Sequence, residues 1–170
     1  RFVRELCDYL RFPSISADAR HAKAMQKCAR WLVEHCRKIG LTTELCRTAG
    51  NAVVVARTPR QSRRRKPHYL IYGHYDVQPA EPLELWKSPP FQPRIAGQSL
   101  FARGASDNKG QHFAHLEAVE AYLKTGTELP VDLPFVIEGE EEIGSPSLAG
   151  FLRKHRQRPR CAGVVISDTT

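Results

Sequence analysis

Long apolar runs are missing from this chain of 170 residues. No stretch approaches the roughly 18 to 20 uncharged apolar residues of a membrane-spanning helix, and the opening "RFVRELCDYLRF" is too interrupted by charge to act as a signal peptide. Cysteine is scarce and unpatterned: Cys7, Cys28, Cys36, Cys46 and Cys161 form an odd set with no CxxC pair. Such a set suits free thiols in a reducing compartment, so a soluble, cytoplasmic protein is expected. There is no internal repeat, and no low-complexity segment beyond one arginine run.

Aromatic residues are absent where the positive charge is densest. The formal net charge is +8, concentrated in "RQSRRRK" at 60 to 66 and "RKHRQRPR" at 153 to 160. Neither run interleaves the rings on which bases stack, so both read as solvated basic segments rather than a nucleic-acid surface.

What is present is enough apolar residue for one core, 41% of the chain, in an alternation of helices and strands. Met25, Cys28, Ala29, Leu32, Cys36 and Ile39 recur at three- and four-residue steps and predict a helix over about 20 to 39, stopped by Gly40. Strands are expected at 42 to 48 and 51 to 57, and three apolar runs, 68 to 73, 133 to 139 and 161 to 168, are expected in the middle of the sheet. A second helix, 108 to 124, shows Phe113, Leu116, Val119 and Leu123 on one face and is closed by Gly126. Ser145 as cap with Pro146 in the first turn predicts a last helix to about His155. The fold class expected is α/β, three layers around a mixed, mainly parallel central sheet.

Against the basic background stands "EGEEEIGS" at 138 to 145, which crowds Glu138, Glu140, Glu141 and Glu142 together. Burying even one unpartnered carboxylate costs several kcal/mol, so something positive is expected among them. Three other polar clusters occupy comparable places, after an apolar strand or before a helix: "GHYDVQP" at 73 to 79, "GASDNKG" at 104 to 110 and "ISD" at 166 to 168. Loops at the carboxyl ends of strands converge in α/β sheets. The convergence would gather His74 with Asp76, Asp107, Glu141, Glu142 and Asp168, a hard-donor set able to hold two divalent ions and so to polarise a carbonyl and activate water.

Each signal alone has a plainer reading. His74 can be a hydrogen-bonded structural histidine, Asp107 a helix cap, and the acidic run a solvated face or a complement to a helix dipole. His112 and His115 form an HxxH that reads as surface or helix-face residues, having no third ligand nearby. Trp86 and Phe91 in "WKSPPF" read as packing for the long loop, or as lining for the approach to a substrate site.

The ordered set "GHYDVQP", "WKSPPF", "FARGASDNKG", "EGEEEIGS", "ISD" resembles the co-catalytic zinc peptidases that include carnosine dipeptidases, carboxypeptidase G, aminoacylase and succinyl-diaminopimelate desuccinylase. The resemblance begins at "LRFPSIS", 10 to 16, and the "HYDVQP" and "SDNKG" wording is nearest the dipeptidases. It implies that His74 binds one zinc, Asp107 bridges two, Asp168 completes the first site and Glu142 binds the second metal. It implies Glu141 as general base toward the attacking water and Asp76 as the carboxylate that orients the His74 ring. It also implies a cis bond at Asp107-Asn108, manganese or cobalt as substitutes for zinc, and a dipeptide or N-acyl amino acid as substrate. Because members of the family continue into a lid domain that commonly forms a homodimer, and then to a distal histidine, residues 1 to 170 are expected to be the N-terminal part of a catalytic domain. A non-catalytic metal-binding fragment, or a module whose basic patches meet acidic partners, is the alternative from another class.

Overall fold

The computed structural model describes residues 1–61, 65–155 and 161–168. Parts of the two basic runs singled out above, 62–64 of 60–66 and 156–160 of 153–160, lie outside the described residues. In chain order the elements are α1 (Phe2–Leu10), α2 (Ala22–Lys38), β1 (Thr42–Cys46), β2 (Val53–Arg57) and β3 (Tyr69–His74), then β4 (Arg94–Ala96) and β5 (Ser99–Phe101), α3 (Lys109–Thr125), β6 (Pro134–Glu138), α4 (Leu148–Lys154) and β7 (Gly163–Ile166).

Five strands form one mixed sheet in the order β1-β2-β6-β3-β7, while β4 and β5 make a separate hairpin in the proline-rich loop. β1 with β2 and β2 with β6 run antiparallel, whereas β3 runs parallel to both β6 and β7. The carboxyl ends of β3, β6 and β7 therefore lie at one edge.

The apolar run in β2 is explained by burial on both faces. Val54 and Ala56 join the large core under α1, α2 and α3, with Ile71, Phe135 and Ile137 of the sheet. Val53 and Val55 turn to the other face, where Val136 and Phe151 of α4 close a smaller core. This completes the three-layer α/β arrangement. The α2 stripe is buried as its period requires, and left-handed glycines, Gly40 at φ 98 and Gly126 at φ 70, follow α2 and α3. α1 has too much charge to announce itself, yet Leu6, Tyr9 and Leu10 at helical spacing seat it against the other helices.

Two expectations are corrected. Among the described residues β7 is an edge strand rather than a middle one, paired with β3 alone, and Val164 and Ile166 remain 52% and 58% exposed. The last helix starts at Leu148, and Ser145 does not cap it. Its hydroxyl donates instead to the buried Glu138 carboxylate at 2.8 Å, a stronger bond than a neutral amide offers an oxygen.

A second polar cluster sits where α1, α2 and α3 meet. Glu117 Oε1 lies 2.8 Å from His35 Nε2, both side chains nearly enclosed. Burial, then the charges of Glu120 and Glu5, hold the Glu117 carboxyl up to about 7, and burial pushes the His35 ring down to about 4. Glu120 is ionised although burial opposes it, because Arg1 and Lys124 pair with it.

Folded Glu117 thus keeps a proton that an unfolded glutamate releases near 4.5. The stability it contributes is complete below that value and lost as pH rises through about 7. Glu117→Gln is expected to be more stable than the parent at about pH 8 and to shrink the difference in denaturant midpoint between about pH 5 and 8. Midpoints that shift in parallel in both chains would refute this.

Candidate metal centre

β3 ends on His74, whose side chain is fully enclosed. β6 and β7 end beside it, so the acidic turn and Asp168 approach from either flank, while Asp107 arrives from the turn before α3 across a cis bond to Asn108. His74 Nε2 lies 3.2 Å from Asp107 Oδ1, 3.5 Å from Asp168 Oδ2 and 3.7 Å from Glu141 Oε2. It is buried, yet it makes no hydrogen bond.

The other ring nitrogen decides what Nε2 needs. Nδ1 lies 3.1 Å from the Asp76 carbonyl oxygen, to which it donates, and this leaves a lone pair on Nε2 aimed at three carboxylates. Only a positive charge relieves that arrangement. Burial opposes protonation of the ring, but the hydrogen bond and charge of Asp76, then Glu141 and Asp168, hold its pKa up to about 9. Burial also raises the Glu141 carboxyl, with Asp168, Asp76 and Asp107 adding to it and His74 opposing. A divalent cation answers the same demand: one imidazole and several carboxylates suit zinc or manganese, and His74, Asp107 and Asp168 bring one donor atom each within 4.8 Å of one another.

Asp76 is the keystone of this corner. Its buried carboxylate accepts from Ser16 Oγ at 2.6 Å and from the backbone N–H of Glu141 and Glu142 at 3.3 and 3.1 Å, and lies 3.4 Å from His74 Nδ1. One side chain therefore fixes both the imidazole and the turn carrying two glutamates. That turn, Glu141–Ile143, is a single 3-10 turn. The chain has to reverse after β6, and Asp76 satisfies the amide groups the turn leaves open. The side chains still diverge: Glu141 faces His74, while Glu142 accepts from Gln78 N and Nε2 at 3.1 and 2.8 Å.

The acidic run is not tolerated by cations throughout. Glu138 accepts from Tyr72 Oη at 2.6 Å and from Ser145, and Glu140 from the backbone N–H of Asn51 and Ser147 at 2.9 and 3.1 Å. Each of those two thus has one protein donor from a distant segment, Tyr72 or Asn51, and one from the residues just downstream, Ser145 or Ser147. Trp86 packs the long loop, its indole donating to the Ala80 carbonyl at 2.8 Å and its ring lying under Arg103.

Sequence reasoning missed several supports. Ser16 stands in the "LRFPSIS" stretch with no signal of its own. Asn108 Oδ1 accepts from the His74 N–H at 3.1 Å, and its Nδ2 donates to the Ser167 carbonyl at 2.5 Å. His112 is no surface residue: it is 1% exposed and bonded to Asn108. Its spacing of four from Asn108 was the available signal. On the opposite sheet face a groove of about 560 Å³, floored by Val55, Leu70, Val136 and Phe151, contains none of the expected site residues.

Three known proteins are similar to this chain. The Cys-Gly metallodipeptidase DUG1 of Candida albicans is 31% identical over 99% of this chain, which spans 38% of that protein. The crystal structure of an M20 family metallo-carboxypeptidase from Sulfolobus solfataricus superposes with a TM-score of 0.90 at 35% identity, over 99% of this chain and 37% of its own. Human carnosine dipeptidase 1 gives 0.90 at 28% identity, again over 99% of this chain and 38% of its own. The chain thus spans well under half the length of these relatives. Residues 70–170, which carry every expected site residue, match the model of one family, and the chain belongs to peptidase family M20/M25/M40.

Proposed function

We propose that this chain carries part of the catalytic domain of a metal-dependent amide hydrolase acting on dipeptides or N-acyl amino acids. The observation that supports it is His74 Nε2, buried without a hydrogen bond and ringed by Asp107, Asp168 and Glu141. In this reading His74, Asp107 and Asp168 hold one zinc ion, and Asp107 and Glu142 contribute to a second. When bound, the metal supplies Lewis-acid polarisation of the amide carbonyl and makes water at the site more acidic.

The chain's own residues do the rest. Glu141, its carboxyl raised by burial, takes the proton of the attacking water and delivers it to the leaving amine. Asp76 keeps Nε2 of His74 aimed at the ion by holding the far side of the ring and the glutamate turn together. Dipeptides as substrates are supported by the relatives, one named a Cys-Gly metallodipeptidase and another a carnosine dipeptidase. In this reading residues 1–170, which span 38% of these relatives, form the N-terminal part of a catalytic domain. A reducing compartment suits five cysteines of which none is in a disulfide, and no helix among the described residues is long and apolar enough to cross a membrane. The basic runs behind the alternative of an interaction module lie partly outside the described residues, and nothing among the described residues favours it.

Metal analysis after dialysis against Zn²⁺ is expected to find an ion that His74→Ala and Asp168→Ala both lose, and a chain without zinc, or with zinc indifferent to those changes, contradicts the proposal. Glu141→Gln is expected to retain metal and abolish hydrolysis of a Cys-Gly dipeptide, whereas Glu142→Gln weakens one metal site. Equal metal loss in the two variants means the roles are misassigned. Asp76→Asn preserves volume but sets an amide N–H₂ against backbone N–H groups, so zinc affinity should fall about 10- to 100-fold; titration calorimetry giving the parent affinity would remove Asp76 from its positioning role.

A further inference from the structure

The α3 helix carries two histidines to which metal binding and proton transfer give no task. His112 and His115 both reach toward the segments that deliver His74 and Asp168. Resting on the reading of those two residues as ligands of one ion, we propose that His112 and His115 are positioning residues which, through Asn108 and Ser167, lock the imidazole and the aspartate at the spacing a cation requires.

The first link is a closed chain of hydrogen bonds. His112 Nδ1 lies 3.0 Å from Asn108 Oδ1, and its Nε2 lies 3.1 Å from the Tyr9 hydroxyl. Asn108 Oδ1 already accepts from the His74 N–H, so this atom is the acceptor for His112 as well. Nδ1 therefore carries the ring proton, and Nε2 accepts from Tyr9. Burial keeps the ring neutral by pushing its pKa down to about 3, with the charges of His74 and Lys109 adding. The remaining Asn108 N–H donates to the Ser167 carbonyl. The approach is so close that a Cβ on Gly73 would stand 2.7 Å from Asn108 Oδ1 and 2.8 Å from His112 Cβ.

The second link holds Asp168. The ladder between β3 and β7 stops at Tyr72 and Ile166, two residues short of the carboxylate. Beyond that point Ser167 is gripped twice from the first turns of α3, by Asn108 at its carbonyl and by His115 Nε2 at its hydroxyl, 2.8 Å away. An edge strand with exposed Val164 and Ile166 has little else to fix its end.

Calorimetric titration with Zn²⁺, alongside thermal denaturation, separates this role from simple space filling. His112→Phe keeps an aromatic ring in the site and loses both bonds, while His112→Asn opens a void but returns an N–H near the place of Nδ1–H. Zinc affinity is expected to fall about 10- to 100-fold in His112→Phe and in His115→Ala, with His112→Asn binding more tightly than His112→Phe although it melts lower. Parent-like affinity in His112→Phe or His115→Ala, or tighter binding by His112→Phe than by His112→Asn, overturns the proposal. If His112→Phe does not fold, the half-buried pair decides: His115→Ala and Ser167→Ala weaken zinc binding, and the double variant no further, because both remove one bond. Additive losses or none overturn it. A parent chain that takes up no zinc fails differently, since it removes the metal reading first and this inference with it.

Discussion

A buried imidazole nitrogen without a hydrogen bond, facing three carboxylates, is the constraint on which this end of the molecule depends. Leaving a charged group unpaired in such a place costs several kcal/mol. The surrounding structure does not relieve the cost with a protein donor. Instead it enforces the arrangement: Nδ1 is committed to Asp76, the His74 amide to Asn108, and parallel pairing of β3 with β6 and β7 brings the acids in from both sides. The neighbouring carboxylates make the ring basic enough for a proton to occupy the position, and a divalent ion can replace it with a larger charge and more partners.

Two ways of accommodating acid therefore operate within five residues. Glu138 and Glu140 are buried and held by protein donors, Glu138 Oε1 by two hydroxyls and the two Glu140 oxygens by backbone N–H groups, and they brace the segments on either side of the acidic turn. Glu141 instead keeps its carboxylate toward His74 at 3.7 Å. Glu142 lies between these extremes, since a single glutamine side chain and one amide hold it, and such contacts can be exchanged for a cation at small cost. In the metal reading, the chemistry falls to the acids whose hydrogen-bonding capacity the fold leaves open.

This division explains what could be read in advance. The polar clusters after β3, β6 and β7 were legible as a converging set because topology, not detail, carries loops at one edge of a sheet together. The apolar periods of α2 and α3 and the glycines that follow them were equally plain, since both depend on local spacing. The partners of Glu138 and Glu140 were not legible: Tyr72 and Asn51 come from other strands and turns, and a backbone N–H leaves no trace in composition. Nor was the edge position of β7, whose apolar run looks like that of a central strand when coverage by other elements is unknown. Ser145 misled for the reverse reason, because a local capping rule competed with a buried carboxylate that only the folded chain presents.

The edge position has a consequence for the centre itself. Asp168 lies just past the end of the least covered strand of the sheet, whereas His74 terminates a central one, so the two donors begin with unequal stability. Local opening draws on regions with few buried apolar contacts, and β7 is such a region. An ion bound by both residues exists only while β7 is docked. Binding at a hundred times the dissociation constant would therefore favour the docked strand by about 2.7 kcal/mol, comparable to the whole packing contribution of one fully buried aliphatic side chain. In the metal reading, occupancy of the site and order at the edge of the sheet are one equilibrium. The hydrogen bonds from α3 to Ser167 set how far that equilibrium lies toward order before any ion arrives.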